Sequence, residues 1–243
     1  MRYLTLIFVF CIVFCFGVEA QTKTQEQQKQ DYILYKEAMN DYNNKYYTIA
    51  GKKFEEIESN FIFTPLATKS IIMSMYSYYK AGKYNDSLRL IEYYKKINFD
   101  DIYLEYMSYM EILNKYTKML KSKKDLVLMN ELYINIENML NNYKYSVYKE
   151  DILNKQKVVI NNIIKNELLI YNFYINNNNF IGAINHLKEI LQKFPQSDYT
   201  AEILYRLLIL YKHINYVDGV NNCLSFLKNN YKHTKWYKYA INK

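Results

Sequence analysis

The chain is poor in the residues that punctuate a fold. Five glycines and two prolines in 243 residues leave few positions able to adopt φ > 0 or to fix a tight turn. Hairpin-rich sandwiches and barrels need more of both, as do nucleotide-binding folds that present bare glycine backbone to phosphate. What remains is an all-α fold. Cysteine is also scarce: Cys11 and Cys15 lie in the N-terminal apolar run, and Cys223 stands alone beyond it, so the processed chain forms no internal disulfide. Cys223 sits among Val220, Leu224 and Leu227, the setting of a buried structural thiol.

Reactive chemistry is equally thin. His186, His213 and His233 fall in different segments without metal-ligand spacing, so no metal or other cofactor is expected. No serine sits in a G-x-S-x-G elbow, and there is no glycine-rich phosphate loop. Glu55, Glu56 and Glu58, like Asp100 and Asp101, stand beside lysines on polar faces, where solvated ion pairing accounts for them. A non-enzymatic protein is expected. The net charge of +8 comes from short lysine pairs such as Lys52-Lys53, Lys95-Lys96 and Lys123-Lys124, with no basic run of the kind nucleic acid requires. No nucleic-acid partner is expected.

Half of the residues are hydrophobic, and their order is informative. Leu4 to Val18 is an apolar run behind Arg2, too short for a membrane span of about 20 residues. It ends in Val18 and Ala20 at the spacing of a signal-peptidase site, so residues 1–20 read as a signal peptide for export, followed by a polar leader over 21–30. Acylation at Cys15 would need a small residue before it; Phe14 is a poor fit, as is Phe10 before Cys11.

From Asp31 onward the apolar spacing is three and four, the helical period. Breaks divide the chain into five antiparallel helix hairpins, about 31–61, 66–97, 101–142, 147–194 and 198–231, and a terminal stub. One pattern recurs in their second helices: Tyr47-x-x-Ala50-x-x-x-Phe54-x-x-Ile57, Tyr84-x-x-Ser87-x-x-x-Ile91-x-x-Tyr94 and Phe180-x-x-Ala183-x-x-x-Leu187-x-x-Ile190. The small residue allows close helix approach and the large ones fill the next seam. The exit turns repeat as aromatic-x-x-Ser/Thr at Phe61/Thr64, Tyr143/Ser146, Phe194/Ser197 and Tyr231/Thr234, where the hydroxyl is expected to N-cap the following helix. A period of 34–40 residues with these features marks a solenoid of about five tetratricopeptide-like (TPR-like) repeats. Its first helices carry many tyrosines, among them Tyr76, Tyr78, Tyr79, Tyr103, Tyr106, Tyr109 and Tyr171. Such rings suit a groove for an extended peptide.

Several of these segments resemble the BamD family of the bacterial β-barrel assembly machinery. They are Glu167–Tyr174 followed by Phe180–Asn185, Ala201–Leu207 leading to Tyr211, and the ending Tyr231-x-x-Thr-x-Trp236-Tyr237. Similar too are Phe54-Glu-x-Ile57-Glu-x-x-Phe61 and Met75–Tyr84 in the N-terminal half. The resemblance covers roughly 31–240 and implies a scaffold at the periplasmic face of the outer membrane. Its partners would be a BamA-like barrel protein, other Bam lipoproteins and the β-signals of unfolded outer-membrane proteins. It implies that repeats over 31–142 receive the β-signal near Phe61, Phe63, Tyr78 and Tyr79. Repeats over 143–243 would dock the last periplasmic (POTRA) domain of the barrel at Asn185 and His186, beside Phe173 and Tyr174. His186 stands where the family commonly carries an Arg that meets an acidic residue of the barrel protein, and a histidine is only partly charged near neutral pH. The family's exit-turn proline survives only as Pro195. The competing reading is a periplasmic TPR adaptor that organises cell-wall enzymes. Such adaptors often carry a coiled-coil segment before the repeats, and only Gln21–Gln30 stands there.

Intact-mass analysis of the exported protein is expected to give a chain beginning at Gln21. A chain beginning at Met1 would mean a retained anchor, and an acylated chain beginning at Cys15 would mean a lipoprotein.

Overall fold

A chain with so few glycines must still reverse direction between helices, and it does so with one repeated device. In this computed structural model, which describes residues 29–60, 65–98, 102–122 and 124–242, four hairpin turns share the same backbone. A left-handed residue follows the first helix in each: Lys45 (φ 65°), Gly82 (φ 74°), Asn178 (φ 55°) and Asn215 (φ 57°). The next residue's N–H closes back on the carbonyl five residues earlier: Tyr46 to Asp41 (2.8 Å), Lys83 to Tyr78 (2.9 Å), Asn179 to Tyr174 (2.9 Å) and Tyr216 to Tyr211 (2.8 Å). The left-handed residue itself donates three residues back, as Gly82 does to Tyr79 (3.0 Å). This pair of bonds is the Schellman closure. Glycine fills the left-handed site once, and asparagine, the next most tolerant residue there, fills it twice.

There are eleven helices among the described residues, with no strand. They are α1 (29–43), α2 (Tyr47–Asn60), α3 (Pro65–Lys80), α4 (Tyr84–Ile97), α5 (Leu104–Lys121), α6 (Leu126–Asn142), α7 (Lys149–Asn176), α8 (Phe180–Lys193), α9 (Thr200–His213), α10 (Val217–Asn230) and α11 (Lys235–Ile241). The fold is therefore all-α and TPR-like, as the apolar periodicity implies. Among the described residues no helix is long and apolar enough to cross a membrane. The signal segment and Cys15 lie outside the described residues.

The chain forms two compact units, one ending at Asn114 and the other beginning at Lys115. In the first, Ala38, Ala50, Phe54 and Ile57 form a core between α1 and α2, covered by Leu66 and Met73 of α3. A second core joins Met75 and Tyr78 of α3, Leu90, Ile91 and Tyr94 of α4, and Met107 and Met110 of α5. Helices α2 and α3 approach closely because small residues face each other: Ser74 Oγ donates to the Gly51 carbonyl at 2.7 Å. In the second unit α7 is twice as long as α8, 28 residues against 14. Its length, about 42 Å at 1.5 Å per residue, packs against both α6 and α8. The recurring small-and-large positions are buried in all three repeats: Ala50, Phe54 and Ile57; Ser87, Ile91 and Tyr94; Ala183, Leu187 and Ile190.

Cys223 is buried, and burial pushes its thiol up to about 11, so it is a neutral packing group at physiological pH. The exit turns differ from expectation in one respect. Thr234 N-caps α11, accepting from Tyr237 N–H at 3.4 Å. Ser146 and Ser197 instead accept from Tyr148 (3.1 Å) and Tyr199 (3.3 Å), the residues that precede α7 and α9. The hydroxyl there closes the turn before the helix begins. The Phe61/Thr64 turn lies outside the described residues.

A left-handed residue other than glycine costs roughly 1–2 kcal/mol, set against glycine's entropic cost of roughly 0.5–1 kcal/mol. Lys45→Gly is thus expected to stabilise the chain by about 0.5–1 kcal/mol and Gly82→Ala to destabilise it by about 1–2 kcal/mol. Thermal unfolding followed by helical circular dichroism reads both.

Candidate docking surfaces

In the first unit the turn geometry aligns a row of tyrosines. Tyr42 and Tyr79 stand three residues before the left-handed residues Lys45 and Gly82, and Tyr47 and Tyr84 stand two residues after them. Because the two turns share a backbone, these rings meet. Tyr47 packs edge-on to Tyr42 (centroids 5.3 Å), Tyr42 reaches Tyr76 (6.1 Å), Tyr76 stacks on Tyr79 (6.3 Å), and Tyr79 meets Tyr84 (5.9 Å). All five are half-buried. The Lys80 ammonium lies 5.2 Å from the Tyr76 ring centre. Burial, with the neighbouring Tyr76 phenol, holds Tyr42 above its ordinary pKa. The row therefore presents neutral aromatic faces with hydroxyl edges and one cation. The equivalent offsets in the second unit are Ile175 and Phe180, and Lys212 and Val217, so the ladder belongs to the first two hairpins.

Of the residues expected to receive a peptide, Tyr79 is in this ladder. Tyr78 is not: it is 5% exposed, and its hydroxyl donates to Glu55 Oε2 at 3.0 Å while Arg89 holds the other carboxylate oxygen at 2.6 Å. A Cβ on Gly51 would come within 2.9 Å of the Tyr78 ring, so the missing side chain is what admits the ring to the seam. Tyr78 is a core residue that ties α3 to α2. Phe61 and Phe63 lie outside the described residues. Tyr42, Tyr47 and Tyr84 were missed by the sequence reading; their fixed offsets from the turns were the available signal.

In the second unit the structure brings together Phe173, Tyr174 and His186. Phe173 and Tyr174 rings meet at 6.2 Å and Tyr174 and His186 at 5.8 Å. Phe173 is 64% exposed, and Leu169, one turn earlier on the same face, is exposed as well. Asn185 is exposed beside His186. The imidazole is largely enclosed: Nε2 lies 3.1 Å from Glu167 Oε2 and 3.0 Å from the Glu167 backbone oxygen. Both neighbours are acceptors, so Nε2 carries the hydrogen. Nδ1 is 4.0 Å from Glu189. The carboxylate expected to come from a partner is thus matched by Glu167 of the same chain, and Phe173 is the most exposed ring of the group. Among the described residues no three His, Cys, Asp or Glu side chains come together as metal ligands.

Tyr78→Phe removes one buried hydrogen bond, expected to cost about 1 kcal/mol in denaturant unfolding near neutral pH. Burial, followed by the Glu55 charge, raises the Tyr78 phenol well above its ordinary 10.0. A raised value in the folded state favours the neutral phenol, so its stabilisation is whole below pH 10 and is lost as pH rises beyond it. The Phe variant should therefore lose less stability than the parent between neutral and strongly alkaline pH.

The family described as outer membrane lipoprotein, YfiO, matches residues 27–235. Curated relatives carry the name outer membrane protein assembly factor BamD. That of Rickettsia prowazekii is 24% identical over 85% of this chain and 82% of its own. That of Neisseria gonorrhoeae is 25% identical over 75% and 72%, and that of Caulobacter vibrioides 18% over 92% and 73%. The match runs through both helical units, including the tyrosine ladder and the His186 cluster, and the chain belongs to the YfiO family, whose curated members are the BamD proteins.

Proposed function

We propose that this chain is an outer membrane protein assembly factor, as its relatives are named, acting as a non-enzymatic scaffold on the periplasmic face of the outer membrane. The observation that carries this reading is the family match across both units, residues 27–235. In this reading the first unit receives the terminal β-signal of an unfolded outer-membrane protein along Tyr42, Tyr76 and Tyr79. Stacked rings with hydroxyl edges offer an extended strand apolar contact and hydrogen bonds at low entropy cost. The second unit docks the last periplasmic domain of a BamA-like barrel protein, with Phe173 as the anchor and Tyr174, Asn185 and His186 around it. An exposed aromatic on a rigid helix is the type of residue that dominates interface energetics. Other Bam lipoproteins would join the same assembly. The chain needs no cofactor for this work.

The test is a mild-detergent pull-down of the tagged protein from its own envelope, with partners identified by mass spectrometry. The parent is expected to recover a POTRA-containing barrel protein at near-stoichiometric yield together with unfolded barrel substrates. Phe173→Ser should lower recovery of the barrel protein about tenfold, and Tyr76→Ser/Tyr79→Ser should lower recovery of substrates by a similar factor. Recovery of cell-wall enzymes with no barrel protein would transfer the chain to the adaptor class.

A further inference from the structure

Two exit turns of the second unit have the same backbone and opposite surfaces. After α6, Tyr143 N–H closes on the Met139 carbonyl (2.9 Å), Tyr148 N–H donates to Ser146 Oγ (3.1 Å), and Lys149 N–H donates to the Ser146 carbonyl (3.2 Å). After α8 the same bonds run from Phe194 to Ile190 (2.8 Å), Tyr199 to Ser197 Oγ (3.3 Å) and Thr200 to Ser197 (3.2 Å). Even the residues before the next helices match, Tyr148 at φ −89°, ψ −2° and Tyr199 at φ −98°, ψ −4°.

The second turn carries Gln196 and Asp198 at its two outward positions, and Asp198 is used: it accepts from Asn161 (2.8 Å) and pairs with Lys157 (3.1 Å). The first turn carries Tyr145 and Val147 there, 98% and 85% exposed. Polar residues satisfy the same turn, so its geometry does not require the apolar pair. Two nearly bare apolar side chains on a hydrogen-bonded turn lower solubility without stabilising the fold. Their flanks are cationic, Lys144 and Lys149, and the Lys149 ammonium is held 3.5 Å from the Lys144 carbonyl. Of the acids that follow, Asp151 is bound to Lys155 at 2.5 Å and Glu150 sits in the first turn of α7.

We propose that this turn is a docking knob: Tyr145 and Val147 enter an apolar pocket of a protein partner whose rim carries Asp or Glu facing Lys144 and Lys149. The turn is already ordered by its own hydrogen bonds, so docking has little loop entropy to overcome. A pocket buries both side chains on all sides, which a flat bilayer surface does not do for two residues on one narrow turn. The turn shares no residue with the tyrosine ladder or the His186 cluster, and the proposal does not depend on the function proposed above.

The test places a photo-crosslinking amino acid at position 145 of the full chain in its own envelope, with position 196 of the matching turn as the control. The expected result is a product from 145, absent from 196, that maps to one protein segment containing Asp or Glu. Y145S/V147S should then weaken co-purification of that protein about tenfold or more. K144Q/K149Q should weaken it and reduce its dependence on salt. Helical circular dichroism should be unchanged in both variants, because the turn's bonds come from backbone and Ser146. Identical products from 145 and 196, a mapped segment without acidic residues, or co-purification untouched by Y145S/V147S would each overturn the proposal. So would vesicles of phosphatidylethanolamine and phosphatidylglycerol that sediment the parent but not Y145S/V147S, since they would make the ligand a membrane.

Discussion

The closure of the helix hairpin is the constraint from which the rest follows. One left-handed residue and two hydrogen bonds end the first helix at a fixed point and start the second after three intervening residues. That fixes the rotation of both helices about their axes. A slip of one residue would turn the second helix by about 100° and carry Ala50, Phe54 and Ile57, or Ala183, Leu187 and Ile190, out of their seams. Because the backbone repeats, a side chain at a given offset from the turn comes to the same place in each hairpin. Tyr42 meets Tyr47 and Tyr79 meets Tyr84 for that reason, and Tyr76 between them joins the two pairs into a ladder.

A repeated scaffold lets surface chemistry change without disturbing the fold. The first unit puts tyrosines at the offsets flanking its turns, whereas the second puts Ile175, Phe180, Lys212 and Val217 there. The second unit in turn has a lengthened α7, which carries Leu169 and Phe173 on its open face. Each unit offers a different kind of surface: hydroxyl-edged rings in one, an exposed phenyl ring beside an enclosed imidazole in the other. In the function proposed, that difference suits two unlike partners.

Much of this was legible in the sequence. With only five glycines, the breaks in helical periodicity had to fall at asparagines, lysines and Gly82, and the helices end there. The buried pattern of the second helices was equally readable, since small and large residues recur at fixed spacing. What could not be read was which ring of a run turns outward. Tyr78 and Tyr79 are neighbours about 100° apart on α3, and the choice is made by Gly51 on another helix, which opens the seam to Tyr78. His186 was likewise read as free to meet a partner's carboxylate. Glu167, nineteen residues earlier, reaches it only because α7 and α8 pack in one particular register. The Ser146 and Ser197 hydroxyls were assigned to the wrong bond because the exit turn runs two residues further than the recurring motif indicates.

The central claim is that the chain serves the assembly of outer-membrane barrels, and depletion of the protein from its own cells tests it most directly. Heat-modifiable mobility on gels separates folded from unfolded barrel proteins, so folding in the envelope can be followed as the chain disappears. The account predicts that folded barrel proteins decline together, early in depletion, while cell-wall composition is still normal. Undiminished barrel folding alongside altered cell wall would contradict it.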